Sequence, residues 1–493
     1  MNLKYSVFFL IIIVASLSFT QENNNSSKVD LEVVYFSDYV YTVINKLPDI
    51  QLNKLKNIEA SVNLLKALKQ KEWKFNVRSG AFQESDFTGN IDAPFVFQTG
   101  WEAASSLSKT FVNIGGRMNL DFVFRQFIAR GVVDGITEKR EFFVPTLTFK
   151  YAQPLLKNAF GLLDRSPIAL AGLDKRIASW TVEEENAYLL ANYKKIYMQW
   201  IVYAQIQEFL IESLDNSKEL EKISKAQRDI GYIDEIDYQN AKMLSLEIES
   251  ELLDVERTYT NLLYQISYLV NNTNIKPDLA EWDILTAALN NESFQGIPFA
   301  DTRQALILSF MRDKIKHSVG ALRNSVLPEL NLLLTAAMEV YSTNSTSQIN
   351  QMILVPAYYV GLQFKYPLGD MDYKANSAEL QKYQLEYQFL VTKYQNEFDY
   401  KMSEKERNLT FYNQKINNRQ IVRKALEKRY ISQYKGFSQG RNILANLIDT
   451  RNQMLQNRIE EADMQLRLIF EYFDFIAMNN RDEISMGKSM SVD

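Results

Sequence analysis

The hydrophobic pattern of the chain alternates between two periods, and it does so twice. Residues 173–230 and 370–435 contain neither Gly nor Pro. As helices they would extend roughly 90 and 100 Å at 1.5 Å per residue. Gly231 ends the first and Gly436 the second, and each precedes another Gly- and Pro-free stretch, 232–275 and 441–486. The pattern predicts a long helix, a turn and a return helix, used twice. Ala241, Leu244, Ile248, Leu252, Val255, Tyr259, Leu262, Ile266 and Leu269 recur at steps of three and four. Ile448, Leu455, Ile459, Ala462, Leu466, Ile469 and Phe473 do the same, with one missed step at Asn452. Such spacing keeps one seam against a neighbouring helix. Leu246, Leu253 and Leu263 lie off that seam, and a helix with two apolar seams packs in a layer or barrel of helices.

Upstream of each long helix the period drops to two. Leu147, Phe149 and Tyr151 alternate with Thr148 and Lys150, and Val360, Leu362 and Phe364 alternate with Gly361, Gln363 and Lys365. Each run ends in Pro-Leu, at Pro154-Leu155 and Pro367-Leu368. Proline cannot continue a ladder, and it opens a helix well. Leu330, Leu332, Leu334, Ala336, Met338 and Val340 form the strand before the second run, and Phe75 and Val77 begin its counterpart in the first half. Large apolar residues on one face with small or polar ones on the other is the pattern of a transmembrane β-strand. The first half carries an additional predicted hairpin: Met118, Leu120, Phe122 and Phe124 alternate with polar residues, with 101–109 as a weaker arm. A soluble antiparallel sheet with one wet face is the plainer reading of these strands, and their isolation between very long helices disfavours it.

Composition narrows the function. The chain has 493 residues with 55 basic and 60 acidic side chains, net −5. That balance does not favour nucleic acid, whose binders concentrate positive charge. There is no cysteine and one histidine, His317, which removes disulfides, thiol nucleophiles, Cys-ligated metals and His-clustered zinc sites. No nucleophile, base and orienter come together in the sequence, so no catalytic residue, cofactor or metal is assigned. Gly487-Lys-Ser489 ends like a phosphate-binding loop but lacks the upstream glycine and strand. Residues 5–20 are uncharged and centred on an apolar run, followed by polar 21–27. This predicts a secretory signal over 1–20, too short an apolar core for a comfortable span. No other stretch approaches 18 apolar residues, so a membrane-embedded mature protein has to use strands.

The order of these pieces resembles the TolC family of outer-membrane efflux ducts. Gln153, Pro154, Leu155 and Leu156, the tip at 231–241, Leu327 to Leu330, Tyr366 to Leu368 and the second tip at 440–449 carry the resemblance. It implies a mainly α fold with a transmembrane β part: a TolC-like trimeric α-helical barrel continuous with an outer-membrane β-barrel. The expected organisation is an N-terminal periplasmic segment over 21–48 and a first repeat over 49–271, with strands in 74–153 and helices in 166–271. A connector over 272–300 follows, then a second repeat over 301–478, with strands in 329–366 and helices in 373–478, and a polar tail over 479–493. The resemblance further implies an outer-membrane location with the helical part in the periplasm. The implied role is a passive exit duct working as a homotrimer with a periplasmic adaptor (membrane fusion protein) and an inner-membrane transporter. The alternative is a soluble periplasmic coiled-coil scaffold or adaptor without a membrane barrel.

The strand count supports assembly independently, because the smallest membrane barrel has about eight strands and the four to six read here cannot close alone. By motif position, the resemblance places a charged constriction on Asn446 and Asp449 of the second tip. Asn446 replaces one of two carboxylate rings by an amide, so weaker cation binding is expected. Asp237, Phe437 and Asn442 match positions that lock the tips, with Arg441 adjacent to Asn442. The turns at Gly231, Tyr232, Gly436, Ser438 and Gly440 are the expected adaptor contact. The plainer reading of Asp449, Arg441 and Asp237 is solvated surface charge worth little.

Overall fold

A computed structural model describes residues 31–87, 95–133, 136–290, 294–341, 353–366, 369, 371–438 and 444–479. The expected signal over 1–20 lies outside them, as does all of the tail beyond Asn479.

Two halves share one plan. The first runs from helix α2 (Pro48–Leu68) into strand β2 (Lys74–Phe87), then β3 (Phe95–Phe111), β4 (Gly116–Val133) and β5 (Ile136–Pro154). It continues into α3 (Leu162–Asp229) and returns in α4 (Glu235–Val270). The second runs from α6 (Arg303–Ser325) through β7 (Glu329–Tyr341) and β8 (Ile353–Lys365) into α7 (Met371–Ser438) and back in α8 (Leu444–Met478). The long helices have 68 residues each and the return helices 36 and 35. β1 (Glu32–Val34) and α1 (Phe36–Lys46) precede the first half, while β6 (Ile275–Pro277) and α5 (Ala280–Asn290) join the two.

The six long strands form one antiparallel sheet in the order β2-β3-β4-β5-β7-β8. The hairpin β3–β4 is therefore inserted in the sheet, bonded to β2 on one side and β5 on the other. Its turn docks at the start of α3. Gln153 Nε2 donates to Ile114 O at 2.8 Å, and Gly161, at φ +63, comes so near that a Cβ there would lie 1.9 Å from Val112 O. Asn158, also left-handed, caps α3 by accepting from Leu163 N at 2.9 Å and donating to Asp164 at 2.7 Å.

The connector holds a short strand and a helix of its own. β1 pairs in parallel with β6. Against this small sheet pack α1, α5 and the middle of α3, around fully buried Tyr39, Tyr197, Trp200 and Ile201. Tyr197 Oη donates to Val34 O at 2.6 Å and lies 2.9 Å from Glu281 Oε2, and the same carboxylate accepts from Phe36 N at 2.9 Å. Burial raises the pKa of Glu281 despite these bonds. The three elements are thus tied at mid-height of the helices. The second long helix also exceeds its expected end, running through Gly436 to Ser438.

Candidate functional site

Two surfaces carry chemistry: the faces of the sheet and the turns at the far end of the helices. Strand register sorts the sheet residues. Lys74, Ser108, Asn119, Lys150, Thr335 and Tyr359 lie directly opposite one another across all six strands, so they share a face. By alternation that face also carries Arg78, Glu102, Asp121 and Arg125. There Glu102 bridges Arg78 at 2.9 Å and Arg125 at 2.6 Å, and Lys150 reaches Asp121 at 3.6 Å. The other face presents Phe75, Val77, Trp101, Phe122, Leu147, Phe149, Met338, Leu362 and Phe364 to the outside. An apolar outer band with a charged inner face is the dyad pattern of a membrane barrel wall. Among the described residues no helix is long and apolar enough to cross a membrane.

The first helical tip is closed by local geometry. Gly231, at φ +74, donates to Arg228 O at 2.8 Å, and Tyr232 N donates to Gln227 O at 2.8 Å. This pair of bonds is a Schellman C-cap, which requires a residue in the left-handed region. Arg228 then spans the turn: it bonds Asp229 at 2.5 Å and Glu235 at 3.2 Å, and its guanidinium sits 4.4 Å from the Tyr238 ring centre. Its hydrogen bond to Asp229 raises its pKa. Ile230, Tyr232 and Ile236 stand exposed around the tip. Asp237 is half-buried in the first turn of α4, and its side chain makes no hydrogen bond or ion pair among the described residues. Arg228 is the tip residue that motif matching missed, although its place one turn before Gly231 and ten residues before Tyr238 is visible in the sequence.

At the second tip, Leu444, Leu447 and Thr450 are buried, which leaves Asn446 and Asp449 exposed on the opposite face of α8. Asp449 accepts from Gln453 at 3.0 Å and lies 3.6 Å from Arg429 of α7. Gln433, with its amide nitrogen turned to Thr450 Oγ1 (2.6 Å) and Asn446 O (3.3 Å), closes the same patch. The structure therefore brings Asn446 and Asp449 together with a basic and two amide side chains. Phe437 is half-buried in the last turn of α7. Gly440, Arg441 and Asn442 lie outside the described residues, as does the side chain of Ser438.

No family model matches the sequence, and no curated protein matches it. Solved structures do. CusC, described with its transmembrane channel formation, superposes with a TM-score of 0.63 at 12% identity, over 90% of this chain and 92% of CusC. The outer membrane protein VceC of Vibrio cholerae gives 0.61 at 11%, over 90% and 96%. The open MtrE outer membrane channel of Neisseria gonorrhoeae gives 0.61 at 12%, over 90% and 88%. The chain has the fold of these TolC-type channels. The likeness covers nine-tenths of the chain, so the fold implied by the short strand and tip motifs is the one found. At the second tip of this chain an amide, Asn446, and an acid, Asp449, stand one helical turn apart.

Proposed function

We propose that three copies of this chain form an outer-membrane exit duct. An inner-membrane transporter would deliver substrate to it through a periplasmic adaptor. The observation that carries the reading is the matched incompleteness of sheet and helices. The sheet has two open edges, β2 and β8, and a lone apolar sheet face cannot satisfy its edges in lipid. The helical layer is open too. α3 packs on α4 and α8, and α8 on α7, which leaves α4 and α7 at the margins. Both margins expose apolar seams: Met243, Leu246, Leu253 and Tyr264 on α4, and Phe389, Tyr400, Phe411 and Val422 on α7. The last four are spaced by 11 residues, which keeps them on one face of a nearly straight helix. α2 adds Leu52, Leu55, Ile58, Val62 and Leu65 at steps of three and four, all exposed. A neighbouring copy covers all of these seams when α7 lies against α2 and α4. Three is the number that the resemblance implies.

In this duct the tips face the periplasm. Asp449 rings the constriction with Asn446, Asp237 helps to hold the tips, and the exposed Ile230, Tyr232 and Ile236 receive the adaptor. The test is fractionation and crosslinking in the native cell. The protein is expected in the outer membrane as a trimer. A photoreactive residue at Tyr232 should capture the adaptor, and one at Phe122 on the apolar sheet face should not. A soluble periplasmic monomer, or capture from Phe122 alone, would overturn the reading.

A further inference from the structure

The insertion of β3–β4 in the sheet fixes the size of the barrel, given the trimeric duct on which this inference rests. We propose that the β2 edge of one copy pairs with the β8 edge of the next, closing a barrel of 18 strands, three times the six of each copy. The edges fit. All neighbours in the sheet are antiparallel, so β2 and β8 run in opposite directions and an antiparallel seam follows. The strands have 14 and 13 residues. Both edges expose apolar residues on the same face: Phe75 and Val77 on β2, Tyr358, Val360, Leu362 and Phe364 on β8.

The register of this seam is set by the climb of the sheet. A row square to the strands passes from Lys74, the first residue of β2, to Tyr359, which lies six positions from Lys365 at the end of β8. Under threefold symmetry the next β2 begins at the height of the first. The row must therefore meet it about six residues above Lys74, a shift that follows from the linked tilt and stagger of a closed barrel. Tyr359 and the even-numbered residues of β2 share the inner face, so its partner is even-numbered, and Gly80 satisfies both conditions. A climb of six residues over six strands makes the shear equal to the strand number. In an eight-stranded barrel that ratio tilts the strands by about 36°, and membrane barrels tilt by about 35–45°. With Gly80 opposite Tyr359, Leu362 meets Val77 and Phe364 meets Phe75 on the outer face, while Gln363 meets Asn76 inside. Barrel width grows roughly in proportion to strand number. The barrel is then about half as wide again as one closed from four strands per copy, and the narrow point of the duct lies at the helical tips.

The absence of cysteine makes the test clean. Four double-cysteine variants would be oxidised in the membrane: Val77→Cys with Leu362→Cys, Asn76→Cys with Gln363→Cys, Val77→Cys with Ser105→Cys, and Leu120→Cys with Phe149→Cys. The first two span the proposed seam. They include one pair of each spacing that alternates along an antiparallel ladder. The last two report β2–β3 and β4–β5 within one chain. Covalent trimers from a seam pair, with intrachain links from the other two, are the expected result. A cryo-EM map of the trimer in lipid should count 18 strands. A trimer by mass that shows 12 strands and no seam crosslink overturns this inference while leaving the duct standing. A monomer by mass removes both.

Discussion

Gly231 carries the first tip by its backbone alone. Its φ of +74 is the left-handed conformation that costs other residues about 1–2 kcal/mol. Gly231→Ala should therefore speed hydrogen exchange at Gly231 and Tyr232 by roughly tenfold or more while leaving exchange in mid-α3 unchanged. Gly231→Asn, which tolerates that region, should recover most of the protection. Lys194 is a different case. It is 4% exposed on α3, beneath the Phe473 ring at 5.8 Å. Burial pushes its ammonium down from 10.5 to about 8. The unfolded chain thus binds that proton more tightly, and stability rises with pH wherever that holds. The contribution of Lys194 is complete above about 10.5 and is lost as pH falls through about 8. Lys194→Met should raise the thermal midpoint at pH 7, and the gain should shrink as pH rises from 8 towards 10.5. An equal gain at both ends would show that repacking, not charge burial, is responsible. The turn at Gly231 was legible because glycine marks it in the sequence. The Arg429–Asp449 and Gln433–Thr450 contacts were not, because they join α7 to α8 and depend on how the intervening turn aligns the two helices.

At the scale of elements, long helices and strongly alternating strands were legible, and elements lacking a clean period were not. β3 reads weakly because its middle, Ala103, Ala104, Ser105 and Ser106, has small residues on both faces. Such a strand depends on its neighbours for placement, and only the register reveals that it is bonded on both sides. α2 was not legible for a related reason: it turns its regular stripe outward, and the stripe has no partner among the described residues. α7 makes the same point over a greater length, because its margin stripe is exposed too and in the proposed trimer serves a neighbour. Phe389 and Tyr400 are 70% and 63% exposed, so removing them costs the isolated chain little. Each contributes about 2 kcal/mol per interface once covered. Phe389→Asp with Tyr400→Asp should convert the detergent-solubilised trimer to monomer with unchanged helicity by circular dichroism. Ile230→Asp, at the tip, should leave the trimer intact. A double variant that stays trimeric would place the subunit contact elsewhere. Lys405 ties α7 inward instead, reaching Glu471 and Asp474 of α8 at 2.8 Å each.

For the whole molecule, ion preference depends on which part of the duct is narrowest. The inner sheet face carries Lys74, Arg78, Arg117, Arg125, Lys150 and Lys365 against Glu84, Glu102, Asp121, Glu329 and Glu339, a nearly even balance among the side chains described. The second tip presents Asp449 with Arg429 beside it. In a conduit the tightest segment dominates selectivity, because charges far from the path are screened within about 10 Å at 0.1 M salt. If the tips close on the axis as proposed, three Asp449 carboxylates would attract a cation by several kcal/mol at intermediate dielectric, an upper-end figure. Reconstituted duct should prefer cations and be blocked by multivalent cations from the tip side. Asp449→Ala should weaken both effects, and Arg429→Ala, which frees the carboxylate, should strengthen the block. Asn446→Asp should strengthen it further, since positions three apart share a helix face. Asp237→Ala, by loosening the tips, should raise resting conductance and weaken the cation preference as the wider, nearly neutral barrel takes over. If Asp449→Ala leaves the block unchanged, the acid is only the partner of Arg429 and Gln453, and the constriction lies at other residues of the tips.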